Sequence, residues 1–154
     1  MLRQTRSMLL VAVTLGMLFA ASVPTASAQT TARTHRVVFD MSGQAIADWD
    51  LLFEQIGDLQ RVFGAGEIQI EVVVQDSGVG WLMGENTSLQ NRLRQAADGG
   101  VAFVIGEGSL KRRRLARHQL LPFVQVVDSG VVELVRKQED GWAYIRSTPE
   151  PVAP

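Results

Sequence analysis

Four acidic side chains directly follow runs of strand-forming residues, where carboxylates can bind metal ions. They are Asp40, Asp76, Glu107 and Asp128. If the strands are parallel, all four lie along one edge of a sheet, and converging carboxylate oxygens are ligands that Mg²⁺ and Ca²⁺ prefer. A serine follows each acid closely, at Ser42, Ser77, Ser109 and Ser129. Because acidic residues and serines also cap helices and end strands in turns, we favour capping and expect no metal site.

Side chains for nucleophilic catalysis are scarce in this chain. Among its 154 residues there is no cysteine, which excludes disulfides, thiol nucleophiles, iron–sulfur clusters and cysteine-ligated zinc. The two histidines, His35 and His118, are too few and too far apart in sequence to suggest a metal set, and His118 fits a surface or capping position. No serine lies in a G-x-S-x-G motif. We therefore expect no catalytic residue and no cofactor, which argues against an enzyme without deciding the matter.

Two further groups of residues could bind an anion. Glycines at 78, 80 and 84 follow a strand in the pattern G-x-G-x-x-x-G, which is similar to part of a dinucleotide fingerprint. The bulky Trp81 lies where backbone would have to approach a pyrophosphate, so a tight turn is the better interpretation. The densest charge cluster is basic: Lys111, Arg112, Arg113, Arg114 and Arg117. It indicates a solvated helix face or a patch for an anion, an acidic protein surface or lipid headgroups, whereas the net charge of -1 argues against nucleic acid.

Hydrophobic periodicity predicts strands that alternate with helices. The strands are expected at 37–39, 68–74, 101–105, 123–127 and 142–145. Apolar residues at helical spacing predict helices at 48–63, 89–97 and 129–138, with Asp48 as the N-cap of the first. This alternation, with crossover-length connections, is typical of a parallel sheet covered on both faces. We therefore predict an α/β fold: a three-layer α/β/α sandwich with a mostly parallel sheet of about five strands.

Ligands of such sheets bind outside the carboxyl ends of the strands. The residues that follow the predicted strands are therefore the candidates for a small-molecule site. They are Asp40, Gln75, Asp76, Ser77, Gly78, Gly106, Glu107, Gly108, Ser109, Asp128 and Ser129. Any small-molecule site should be made from these residues, and the expected partner is a small anionic ligand, for which the basic cluster is the reason, or a protein.

The first 28 residues have the composition of a secretory signal peptide. Arg3 and Arg6 precede an apolar run at 8–21, and residues 26–28 read Ala-Ser-Ala, a small-x-small cleavage sequence. An uncleaved anchor is the alternative, but the apolar run is shorter than the ~20 residues that span a bilayer. We therefore expect a periplasmic or secreted protein with no stable membrane insertion after cleavage. Its expected parts are a signal peptide at 1–28, a disordered linker at 29–34, a folded domain at 35–146 and a disordered tail at 147–154.

Three segments of the chain match a known pattern. They read EIQIEVVVQDSGVGWL at 67–82, GVAFVIGEGSLKRRRL at 100–115 and LLPFVQVVDSGVVELVRKQEDGWAYIR at 120–146. They resemble the DsrE/DsrF-like family of small α/β sulfur-relay proteins, and the likeness extends over 35–146. The resemblance implies a homo-oligomer, a trimer or a hexamer. In some members it also implies a persulfide on a cysteine that follows the third strand.

The chain departs from the family pattern at that cysteine. Gly106 stands where relatives place the thiol, and Gln75 and Asp76 stand where a histidine is expected. Because a persulfide needs a thiolate as carrier, sulfur relay by the family's route is excluded. Three hypotheses remain: an exported, non-catalytic binding or assembly module, a sulfur-transfer accessory subunit that acts with a cysteine-bearing partner, and a nucleotide or anion binder that uses the glycine turn and the basic cluster. The missing thiol favours the first.

Overall fold

In the part of the chain that the structure describes, five parallel strands form a single sheet. A computed structural model describes residues 34–75, 77–84 and 87–147, so the expected signal peptide, Asp76 and most of the expected linker and tail lie outside the described residues. The strands are β1 (His35–Met41), β2 (Ile68–Val74), β3 (Val101–Gly106), β4 (Val124–Val127) and β5 (Ala143–Arg146). They lie in the order β4-β3-β2-β1-β5, and each neighbouring pair is parallel. The predicted α/β fold with a parallel five-stranded sheet is confirmed.

Among the described residues, four α-helices connect these strands. They are α1 (Ile46–Phe63), α2 (Thr87–Asp98), α3 (Glu107–Arg113) and α4 (Gly130–Glu139). Short 3-10 helices at Gly78–Leu82 and Arg117–Gln119 lie in the connections after β2 and α3. The seven-residue α3 falls in the basic stretch, whose lack of apolar periodicity predicts no helix.

The start of α1 differs from the prediction. Asp48 is not the N-cap but lies inside the first turn, where its Oδ2 accepts a hydrogen bond from the backbone N–H of Ala45 at 3.0 Å. The prediction was wrong because a carboxylate can satisfy a free amide of the first turn from inside the helix as well as from the cap position. At α4 the cap is a side chain, since Ser129 Oγ accepts from the N–H of Val132 at 3.5 Å.

The helices cover the two faces of the sheet unequally. On one face α1, α2 and α3 pack over the main core, through buried residues that include Trp49, Leu52, Leu93 and Leu110. On the other face α4 packs over a small core of Val38, Val73 and Leu134, with Trp142 at its margin. This arrangement follows from right-handed crossovers: the chain moves from β1 to β4 in one direction and then returns past β1 to β5. The result is the predicted three-layer sandwich, with one thick and one thin helical layer.

The central strand β2 is buried on both faces, which explains its unbroken valines. Val72 and Val74 face the main core and Val73 faces α4, and all three are fully buried.

At the carboxyl end of the fold, Ser147 is also buried, and its Oγ donates to Gln55 Oε1 at 3.1 Å. Within the described residues, no helix is both long and apolar enough to cross a bilayer.

Candidate functional site

A cleft opens between the carboxyl ends of β3 and β4. The chain leaves β3 toward α3 on one face and leaves β4 toward α4 on the opposite face, so the two connections diverge. Such a divergence is where open α/β sheets bind their ligands. The cleft has a volume of about 130 Å³. Its lining residues are Gln75, Gly106, Gly108, Ser109, Arg112, Asp128, Ser129, Gly130 and Val131.

Gly106 forms the base of the cleft, and the backbone of α4 lies directly against it. An atom at the Cβ position of Gly106 would lie 2.5 Å from the backbone nitrogen of Gly130 and 3.3 Å from the Cα of Ser129. The backbone of Gly106 is extended, with φ −75° and ψ 138°, which any residue can adopt. Glycine is therefore required at position 106 because there is no space for a side chain. The backbone conformation does not require it. The position that the resemblance assigns to a sulfur-bearing cysteine has no room for a side chain.

The polar side chains of the cleft come from three elements. Ser109 in α3 is buried, and its Oγ accepts a hydrogen bond from Arg112 Nη2 at 3.2 Å. Gln75 follows β2, and its amide lies close to Gly130. Asp128 supplies a carboxylate at the end of β4. The cleft thus combines a guanidinium, an amide and hydroxyl groups with one acid among the described residues.

The structure brings together six of the candidate residues: Gln75, Gly106, Gly108, Ser109, Asp128 and Ser129. Three more described candidates have other contacts. Ser77 donates from its Oγ to the carbonyl of Ser42, Gly78 packs against Val74, and Glu107 pairs with Lys111 at 3.6 Å. Asp76 lies outside the described residues. Across the described ranges, no cluster of acids or histidines has the geometry of a metal site.

Asp40 belongs to a separate polar group at the β1–β5 edge of the sheet. The hydroxyl of Tyr144 donates to Asp40 Oδ2 at 2.8 Å, and Arg146 Nε lies 3.9 Å from the same oxygen. Burial raises the pKa of Tyr144; a hydrogen bond with Arg146 opposes the increase, and the Asp40 carboxylate adds to it. These contacts tie β5 to β1, and Asp40 is not among the described lining of the cleft.

Sequence patterns missed two contributors to the cleft and placed a third elsewhere. Gly130 and Val131 belong to the first turn of α4, and glycine and valine carry no chemical signal. Arg112 was assigned to the basic cluster, yet its side chain lines the cleft. The three-residue spacing of Ser109 and Arg112 would place them on one face of a helix, but the absence of apolar periodicity hid α3.

The rest of the basic cluster spreads around α3. Arg113 lies beside Gly80, Met83 and Leu115, which line a shallow depression of about 250 Å³. The predicted glycine turn and the basic cluster therefore meet at this depression.

Arg114 ends α3 in the left-handed region, with φ 56° and ψ 40°, a conformation that is unusual for any residue other than glycine.

The remaining charged group of note lies under α4. Lys137 Nζ donates to Glu71 Oε2 at 2.5 Å and lies 3.6 Å from Glu133 Oε1, while its ammonium group also stands 4.3 Å from the centre of the Trp142 ring. Burial raises the pKa of Glu71, and Lys137 opposes this increase. Glu71 Oε1 has no hydrogen-bond partner among the described residues. This group fastens α4 to the sheet.

The two histidines lie outside the cleft. The His35 ring stacks on Phe63 with their centres 4.0 Å apart, and His118 is exposed in a 3-10 helix.

Comparisons with known proteins agree with this fold. A model of the DsrE/DsrF-like family matches residues 17–146. A solved structure of a protein of unknown function from Methanobacterium thermoautotrophicum is similar, with 31% sequence identity and a TM-score of 0.69, over 73% of this chain and 98% of that chain. The ychN protein from E. coli shares the fold at 13% identity and a TM-score of 0.59, over 73% of this chain and 98% of its own. No curated protein matches the chain significantly.

Proposed function

Because the chain belongs to the DsrE/DsrF-like family, we propose that it is an exported, non-catalytic member that binds a small anion in the cleft at the β3–β4 edge. The observation that carries this proposal is the contact between Gly106 and the start of α4. With 2.5 Å between the Cβ position of Gly106 and the nitrogen of Gly130, no sulfur-bearing side chain fits at this place. The cleft keeps a polar lining and lacks the thiol that sulfur relay needs.

The lining favours an anion over a neutral or cationic ligand. Arg112 brings a guanidinium whose planar donors suit oxyanions, and the Gln75 amide and the Ser109 hydroxyl add neutral donors. The carboxylate of Asp128 would repel an anion, so we expect the anion to bind on the α3 side of the cleft, near Arg112. Small sulfur or phosphorus oxyanions have the matching charge and geometry.

The size of the cleft limits the ligand further. A volume of about 130 Å³ is small compared with the roughly 300–1,000 Å³ of pockets that hold drug-sized ligands. Thiosulfate, sulfate and phosphate fit that space, whereas a dinucleotide does not. The cleft is therefore suited to a small inorganic anion or to the anionic end of a longer molecule.

Export and assembly belong to the same proposal. The basic, apolar and small-residue pattern of residues 1–28 supports secretion to the periplasm or beyond. A homo-oligomer such as a trimer or hexamer is what the resemblance to the DsrE/DsrF-like family implies, and a domain without cysteine would gain stability from such association.

Isothermal titration calorimetry of the mature chain with thiosulfate, sulfate and phosphate tests the binding. We expect one site for at least one of the anions. Arg112→Gln should weaken binding by about tenfold or more, because a hydrogen bond to a charged group contributes about 1.5–3 kcal/mol. The matched control is Arg113→Gln, which removes the neighbouring charge at a residue that lines a different depression and should leave the affinity unchanged. The absence of heat with all three anions at millimolar concentration would contradict the proposal.

A second candidate function is anion binding at the depression beside the glycine turn. The observation that favours it is that Arg113 and Gly80 line the same depression, together with Met83 and Leu115. The same titration separates the two sites, since loss of binding in Arg113→Gln with retention in Arg112→Gln would assign the ligand to the depression.

Catalysis is tested separately. A thiosulfate:cyanide sulfurtransferase assay on the purified chain should show no turnover, since no thiol is present to carry sulfur. Turnover without an added partner would refute the non-catalytic assignment. Turnover that needs a cysteine-bearing partner would favour the accessory-subunit alternative.

A further inference from the structure

The cleft carries two charged side chains of opposite sign among its described lining residues. They are the guanidinium of Arg112, on α3, and the carboxylate of Asp128, which follows β4. A guanidinium only donates hydrogen bonds, and an ionised carboxylate only accepts them. A small ligand that contacts both side chains must therefore accept hydrogen bonds at one end and donate a hydrogen bond at the other.

The buried Ser109 adds a donor beside Arg112. Its Oγ accepts a hydrogen bond from Arg112 Nη2 at 3.2 Å, so the hydroxyl proton must point away from the guanidinium. Among the described residues, no hydrogen bond from this hydroxyl to an acceptor is formed. Because Ser109 lines the cleft, its proton is available to an oxygen atom of a bound anion.

The local structure does not account for Asp128. The N-cap of α4 is the next residue, Ser129, whose Oγ accepts from the N–H of Val132 at 3.5 Å. Within the described ranges, no hydrogen bond or ion pair engages the Asp128 carboxylate. An acid with no such contact, in a cleft that otherwise suits an anion, is available to accept a hydrogen bond from the ligand itself.

An oxyanion that keeps a proton satisfies both sides of the cleft. The bare oxygens of hydrogenphosphate accept from Arg112 and Ser109, and its hydroxyl group donates to Asp128 in a charge-assisted O–H···O⁻ bond. Sulfate and thiosulfate have no proton near neutral pH. When these anions bind at Arg112, an acceptor oxygen faces the carboxylate, and the two like charges repel each other without a hydrogen bond.

We propose that the cleft selects inorganic hydrogenphosphate over fully deprotonated anions of similar size, with Arg112 and Ser109 as donors and Asp128 as the acceptor of the phosphate proton. This inference rests on the proposed anion site and names its ligand. The selection combines an attractive contact with the preferred anion and a repulsive contact with its competitors.

Calorimetric titration of the mature chain with phosphate, sulfate and methyl phosphate tests the selection. At about pH 8 all three are mainly dianions, because a phosphate ester loses its last proton near pH 6. Of the three, inorganic phosphate alone keeps a hydroxyl group, so the comparison varies the proton at nearly constant charge and size. We expect phosphate to bind at least about tenfold more tightly than sulfate or methyl phosphate, since a hydrogen bond to a charged group contributes that much.

Two variants make the test specific to Asp128. In Asp128→Asn the side-chain amide can donate to a sulfate oxygen or accept from a phosphate hydroxyl, so the preference for phosphate should disappear. The melting temperature should stay unchanged, because Asp128 is exposed. The matched control is Glu107→Gln, which removes the same charge from the first turn of α3 at a residue outside the described lining. It should change the affinity for all three anions equally and keep the preference.

The outcomes separate this inference from the anion site on which it rests. Equal affinities for phosphate and sulfate, tight binding of methyl phosphate, or a preference that persists in Asp128→Asn would each refute the selection while anion binding stands. If none of the three anions releases or absorbs heat, the anion site itself is wrong and the selection is refuted with it. The same holds if Arg113→Gln abolishes binding and Arg112→Gln does not, because the anion then binds at the depression.

Discussion

Replacement of Gly106 by alanine tests the physical basis of the cleft most directly. The new methyl group would stand 2.5 Å from the backbone nitrogen of Gly130, about 1 Å short of ordinary contact. A flexible side chain could rotate away from such a clash, but a helix backbone cannot. To remove this clash, the start of α4 must move away from β3. This movement also disturbs the packing of Leu134 on the sheet.

The expected cost is at the upper end of overpacking effects. Extra methyl groups in a tightly packed site typically cost 1–3 kcal/mol, and we expect about 3 kcal/mol here because backbone must shift. A domain of this size loses roughly 4 °C of melting temperature per kcal/mol, which gives a decrease of about 12 °C. Urea denaturation at fixed temperature measures the free energy directly.

A matched alanine substitution supplies the control. Gly57 lies within α1, and nothing lies within 4 Å of its Cβ position. Gly57→Ala should stabilise the domain by up to about 1 kcal/mol, because alanine is the better helix former. If Gly106→Ala is as stable as the natural chain, the close approach of α4 does not determine the residue at 106. Gly106→Cys extends the test: the thiol should destabilise the domain as well, and it should fail to confer sulfur transfer.

The other predictions concern the charged group under α4 and the end of α3. Lys137→Met removes the cation beside the buried Glu71 and should cost about 3–5 kcal/mol in urea denaturation, whereas an unchanged midpoint would show that the pair contributes little. Because burial raises the folded-state pKa of Glu71 above its ordinary value of 4.5, the native state binds this proton more tightly than the unfolded chain. The contribution of Glu71 to stability should therefore be complete below its ordinary pKa of 4.5 and should decrease as the pH rises through the raised pKa. Denaturation curves measured over a series of pH values should show this decrease in the natural chain and not in Glu71→Gln. Arg114→Gly should stabilise the domain by about 1 kcal/mol, since glycine adopts the left-handed φ of 56° without strain. Arg113→Gly, at a helical position one residue earlier, should instead destabilise the domain by about 1 kcal/mol. A change of the same sign in both variants would contradict the argument.

Much of the fold could be predicted because its signals are local. The valines of β2, the apolar spacing of α1 and the glycines between elements predict the strands and helices, and alternation of the two predicts a parallel sheet. The errors have local causes too. Asp48 stabilises α1 from within its first turn, and α3 is too short and too basic to show periodicity.

The site was only partly predictable. Six candidate residues meet in the cleft because the carboxyl ends of parallel strands lie at one edge of the sheet. Asp40 lies at the same edge, yet it contacts Tyr144 and Arg146 on β5, because β1 is next to β5 in the sheet. No sequence pattern gives this strand order.

The sequence by itself determined that the chain carries no thiol of its own, because a residue type that is absent from the sequence cannot be supplied by folding. It also determined the α/β class, since strand and helix periodicities are properties of neighbouring residues. The tertiary structure decided why position 106 is glycine, because the nitrogen that excludes a side chain belongs to a residue 24 positions later. It likewise decided that Arg112 lines the cleft while Arg113 lines a different depression, and that three valines of α4 remain exposed. These features depend on contacts between elements that are distant in the chain, and such contacts exist only in the packed molecule.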